Sequence, residues 1–104
     1  DFDLLLCPAA ASTAFVHDHE GDRTTRTIEV NGKQEPVVDQ LFWAGWSCSV
    51  YLPSTVAPVG LLDGLPVGLQ IIAPHLGDKK SIHFASLLEK EFGGFIPPPG
   101  FETI

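Results

Sequence analysis

Gly64-Leu65-Pro66-Val67-Gly68-Leu69-Gln70-Ile71-Ile72-Ala73-Pro74 is the stretch from which the fold is read. Residues 67–72 run almost unbroken in apolar side chains, the pattern of a strand covered on both faces rather than one with a wet side. Asp63-Gly64 just before it is a hairpin signal, because a two-residue type I′ turn needs positive φ at both central positions. The turn joins this strand to Thr55-Val56-Ala57-Pro58-Val59-Gly60-Leu61-Leu62, which gives two adjacent strands. Leu4-Leu5-Leu6, inside a short strand from Asp3 to Pro8, has the same continuously apolar character. One or two helices cannot cover both faces of such strands. The segment is therefore expected to be one side of a larger α/β sheet, exposing sheet faces and strand edges when alone.

Working outward, Ile82, Ala85, Leu88 and Phe92 make a helical stripe, Asp78 stands where an N-cap belongs, and Gly93-Gly94 close the element. The expected helix runs from about residue 79 to 92. Upstream, Val38, Leu41, Phe42, Trp46 and Val50 recur at helical spacing, which predicts a second helix within residues 37–51, ended by Pro53. Thr27-Ile28-Glu29-Val30 meets Asn31-Gly32, the preferred pair of a type I′ turn, so a small hairpin is expected over residues 27–36. A polar loop, residues 16–26, and the small-residue stretch Ala9-Ala10-Ala11-Ser12-Thr13 fill the remainder.

The sequence has 104 residues and no methionine, and it opens at Asp1 directly before an apolar run; both features suggest a piece of a longer chain, cut at an ordered element. Its net charge is −7, and its six Lys and Arg residues form no run, which argues against nucleic-acid binding. The apolar stretches are far shorter than the roughly 18 residues that span a bilayer, and no signal peptide opens the chain, so no membrane partner is expected. Cys7 and Cys48 both sit in apolar segments and read as free buried thiols, favouring a reducing, cytoplasmic setting.

Three constellations are candidates for chemistry. His17-Asp18-His19-Glu20 places two imidazoles and two carboxylates together, but a metal site needs a third convergent ligand and His75 and His83 lie in other elements; a solvated loop is the favoured reading, with no metal. Gly45-Trp46-Ser47-Cys48-Ser49 begins like a nucleophile elbow, yet has Ser49 where glycine belongs and falls inside a helix. No Ser-x-x-Lys pair and no phosphate-cradling loop occurs, and no cofactor is implied. Phe42, Trp43 and Trp46, with Tyr51 beyond, form an aromatic group at helical spacing, which by pattern alone reads as core.

Taken together, Asp3-Leu4-Leu5-Leu6-Cys7-Pro8, Asn31-Gly32, Phe42-Trp43-Ala44-Gly45, Leu52-Pro53-Ser54-Thr55-Val56-Ala57-Pro58-Val59-Gly60 and the Gly64–Pro74 stretch resemble the C-terminal third of the amidase-signature family. The order and spacing match over nearly the whole chain, through Asp78, Phe84-Ala85 and Leu88-Glu89 to Gly94-Phe95 and the proline cluster. The resemblance implies an α/β fold with a mixed central β-sheet sandwiched by helices, residues 1–104 being the C-terminal part of a single domain whose N-terminal portion is missing. It also implies hydrolysis of carboxamide C–N bonds by a serine nucleophile, a bridging serine and a lysine base, activated as buried nucleophile–base sets are. Those groups lie upstream in the family, so no catalytic residue is assigned to this chain, which is expected to be inactive alone.

What does map is pocket wall. In similar enzymes the helix before the Leu-Pro strand borders the acyl side of the substrate, which makes Phe42, Trp43 and Trp46 the expected substrate-binding residues. The expected partners are a small-molecule amide and the N-terminal remainder of the domain; the sequence leaves a homo-oligomer open. The competing readings are a non-catalytic pseudoenzyme or binding module, and a small metal-binding domain using His17 and His19.

Overall fold

Asn31 and Gly32 sit at φ 52° and 75°, Asp63 and Gly64 at 51° and 79°. Asparagine, aspartate and glycine are the residues that tolerate this left-handed region, so both dipeptides fold as the two-residue turns expected of them. In the computed structural model, which describes residues 2–102, the elements are β1 (Leu5–Pro8), β2 (Thr27–Val30), β3 (Lys33–Pro36), a 3₁₀ turn (Val37–Gln40), α1 (Leu41–Cys48), β4 (Ser54–Leu62), β5 (Leu65–Ile72) and α2 (Asp78–Phe92). Asp1 lies outside the described residues.

The first turn closes a separate hairpin in which Val30 pairs with Lys33 and Thr27 with Pro36. The second joins β4 and β5, and β5 takes the centre of a three-stranded sheet in the order β1-β5-β4, antiparallel throughout. Leu6 pairs with Ile71 and Thr55 pairs with Ile71 from the other side. The central place of β5 explains its apolar run: it has a strand on each edge and a helix over each face. Thr55, on the face of Ile71, bonds to Ser81 of α2, while Gln70 and Ser54, on the opposite face, bond to Trp43 and Ser47 of α1. This is the helix–sheet–helix layering expected of an α/β segment.

In β4 the register shifts between Pro58 and Gly60, so Val59 is the extra residue of a β-bulge. Proline in this strand is tolerated because β4 is an edge of the sheet.

Two local expectations need correction. The predicted helix within residues 37–51 is shorter: its first four residues form a 3₁₀ turn and the α-helix ends at Cys48. The amides of Val50 and Leu52 both turn back to the Ser47 carbonyl, and Tyr51 adopts a φ of 57°, so the chain leaves the helix through this left-handed turn before Pro53 is reached. Asp78 is the first residue of α2 and not its cap; Gly77 is the cap, and no side-chain bond closes the end. The other end is as expected, with Gly93 at a φ of 85° and its amide bonded to the Glu89 carbonyl at 2.9 Å.

The buried apolar set is small, comprising Ile28, Ala57, Ile71, Ile72 and Ala73. Leu5 and Leu6 remain 48% and 45% exposed. Adjacent strand residues point to opposite faces, so the sheet is uncovered on both sides at β1, as its apolar sequence implies. Among the described residues no helix is long and apolar enough to cross a membrane.

Candidate functional site

The helix α1 carries Phe42, Trp43 and Trp46 within eight residues. The rings meet edge to face: Phe42 and Trp43 have centroids 5.1 Å apart at 82°, Phe42 and Trp46 5.9 Å apart at 81°. Such pairs are worth about 0.5–1.5 kcal/mol beyond the area they bury, and they hold the rings in one arrangement. Phe42 is 58% exposed and Trp46 50%, with Trp43 half-buried between them. Within this segment the group is an open aromatic face and not a core cluster. Phe42 and Trp46 share a face as their four-residue spacing dictates; Val50, expected beside them, lies beyond the end of α1.

Two hydrogen bonds fasten α1 to the sheet. The Gln70 amide Nε2 donates to the Trp43 carbonyl at 2.9 Å, and the Ser54 hydroxyl donates to Ser47 Oγ at 3.2 Å. Gln70 is absent from the residues that sequence pattern singles out, although a lone carboxamide inside an apolar strand was the available signal: a buried amide has to be satisfied by something.

Ser47 is buried, donates to the Ala44 carbonyl at 3.3 Å and accepts from Ser54, contacts that give no base to activate it. His17 and His19 form a pair with Nε2 atoms 3.0 Å apart, and among the described residues no group of three His, Cys, Asp or Glu stands where it could hold a metal ion. Cys7 is partly buried, whereas Cys48, expected inside, is exposed.

A cleft of about 510 Å³ opens between the Ala9–Ala14 stretch and the β4–β5 hairpin, with Val56, Pro58, Gly68 and Phe95 among its walls. A second, about 310 Å³, lies between β4 and α2 against Ile82, Ala85 and Phe95. The aromatic face of α1 borders neither.

No protein-family model matches the chain. A glutamyl-tRNA(Gln) amidotransferase subunit from Exiguobacterium sibiricum is 45% identical over 98 residues, which are 94% of this chain and 18% of that protein. Fatty-acid amide hydrolase 2-A of Danio rerio is 50% identical over 54 residues, 51% of this chain and 10% of its own. The fold matches the crystal structure of a bacterial aryl acylamidase belonging to the amidase-signature family, with a TM-score of 0.70 and 30% identity over 86% of this chain and 18% of that one. The chain thus spans no more than 18% of the length of these relatives. With both the sequence match and the fold match running along most of its length, the chain belongs to the amidase-signature family, as a segment of that fold.

Proposed function

We propose that this segment is the structural and substrate-lining part of a carboxamide hydrolase, and that Phe42, Trp43 and Trp46 form the wall against which the acyl side of a small amide lies. The observation that carries the reading is the open aromatic face of α1, with two of its three rings half or more exposed, in a chain whose fold matches an aryl acylamidase. Rings fixed against one another and open within this segment suit an apolar or aromatic acyl group, which they bind by contact area at little entropic cost.

In this reading the bond-breaking groups lie in the remainder of the domain. A serine hydroxyl there attacks the amide carbonyl as a neutral lysine, relayed by a second serine, takes its proton; the C–N bond breaks as that proton passes to the departing amine, and water then hydrolyses the acyl-serine ester to the carboxylic acid and the free serine. The residues of this chain orient the acyl group and exclude water from one side of it. The uncovered faces of the sheet at β1 and along β4 are surfaces for that remainder, which completes a single domain. The enzyme is a serine hydrolase of the cytoplasm that needs no cofactor.

The test is hydrolysis of a simple aryl amide by the full-length protein and by the pure 104-residue chain. Cleavage by the first and none by the second is the expected result. Sustained cleavage by the short chain after repeated purification, or none by the full-length protein, overturns the reading.

A further inference from the structure

Gln70 is the only side chain in the apolar run of β5, residues 67–72, that carries hydrogen-bonding atoms, and it is 5% exposed. A carboxamide in that position is costly to bury unless its hydrogens find acceptors. Both do: Nε2 donates to the Trp43 carbonyl at 2.9 Å and to Cys7 Sγ at 3.2 Å. One bond reaches along the sheet to β1 and the other off the sheet to α1. The Trp43 carbonyl can only accept, which fixes which way round the amide stands.

The element it grips is weakly held otherwise. At eight residues α1 is about 12 Å long, and a helix that short does not keep its place by its own hydrogen bonding. Its second tie, Ser47 to Ser54, lies one turn further along. Trp43 meets Phe42, and Phe42 meets Trp46, so a grip on the Trp43 backbone holds one end of the ring cluster, beside the ring that touches both tryptophans.

We infer that Gln70 is a positioning residue for the aromatic wall: its carboxamide sets how α1 sits over the sheet, and so how large an acyl group the wall accepts. The inference rests on the proposed role of that wall.

The test compares kcat/KM on a bulky aryl amide and on a small acyl amide in the full-length enzyme. Gln70→Met keeps length and volume while removing both donors; Gln70→Asn keeps the carboxamide but falls a methylene short of Trp43 and serves if the first variant does not fold. Either is expected to lower the bulky-to-small ratio by roughly threefold or more, through KM for the bulky amide, with kcat on the small one retained. Combined with Trp46→Ala, the effect should fall short of the product of the single effects, because both changes act on one wall. Cys7→Ala, which removes only the sulfur acceptor, should leave the ratio within a factor of about two. A ratio moved by Trp46→Ala but by neither Gln70 variant overturns the inference alone. A ratio that Trp46→Ala does not move sinks the wall itself, and the inference with it.

Discussion

Thr55 Oγ1 and Ser81 Oγ lie 2.9 Å apart, joining the edge strand β4 to the buried side of α2. Ser81 is also 2.9 Å from the Asp78 carbonyl, which can only accept, so Ser81 donates there and receives the proton of Thr55. Ser81→Ala removes both bonds and leaves the part-buried Thr55 hydroxyl without its acceptor, a loss expected to cost about 1–3 kcal/mol. Adding Thr55→Val should cost much less than the same change made first, since the orphaned group goes with it. Urea titrations of the two single variants and the double close this cycle; strict additivity would show that the hydroxyls do not depend on each other.

Trp46 is half exposed, which sets it apart from a core tryptophan whose truncation costs about 3–5 kcal/mol. Trp46→Ala is expected to cost roughly half of that or less, and to lower kcat/KM on bulky acyl amides while sparing small ones. If the rate ratio stays within a factor of about two while the unfolding midpoint collapses, the rest of the domain buries Trp46 as core and the wall assignment fails.

At the start of α2 the sensitive position is Gly77 and not Asp78. A Cβ built on Gly77 would stand 2.7 Å from the Pro74 carbonyl oxygen and 3.1 Å from Ala73 Cβ, both in a tight turn with no room to yield. Gly77→Ala should therefore destabilise by about 1–3 kcal/mol. Asp78 makes no capping bond, and its carboxylate contributes only through the helix dipole, so Asp78→Ala should cost about 0.5 kcal/mol or less. Thermal midpoints of the pair decide it; the reverse order would mean that Asp78 caps after all.

Asp22 is held below the ordinary carboxylate range by the Thr24 hydroxyl first and the Thr24 amide second. A carboxylate with a lowered folded-state pKa contributes its stabilisation above the unfolded value and loses it as pH falls through the folded one. Thr24→Ala should raise the Asp22 midpoint without restoring it fully, because the backbone amide remains. An NMR titration of the side-chain carboxyl follows it directly, and an unmoved midpoint would rule out the hydroxyl as the main cause.

Much of the fold was legible because it is written in local chemistry. Asn31-Gly32 and Asp63-Gly64 specify their turns by the φ angles they tolerate, and Gly93 stops α2 for the same reason. What pattern could not supply was partnership across distance. The apolar run of β5 announces a covered strand, yet nothing local pairs it with β1 some sixty residues earlier. The spacing of Val38, Leu41, Phe42 and Trp46 suits a 3₁₀ turn followed by a short helix as well as one long helix, so the end of α1 at Cys48 was hidden. Asp78 has the side chain of a cap, but the tight turn that bonds the Gly77 amide to the Pro74 carbonyl at 2.8 Å leads straight into the helix and leaves Gly77 as the cap, one residue earlier. The aromatic residues of the candidate wall were visible as a group, while their openness and their fastening through Gln70 depend on how α1 meets the sheet.

The bulge at Val59 bears on how copies of this segment, standing alone, avoid sticking to one another. A long outer strand offers a row of unpaired backbone groups that a strand from another molecule could extend into a stack. In β4 the extra residue breaks the two-residue alternation midway, so a straight intruding strand can match Ser54–Pro58 or Gly60–Leu62 but not both in one register. Five residues on one side, the last of them a proline, and three on the other fall short of the roughly six or seven that such a stack needs. The irregularity makes this rim of the sheet a poor template for fibrils, even when the leucines at its end stand open to water.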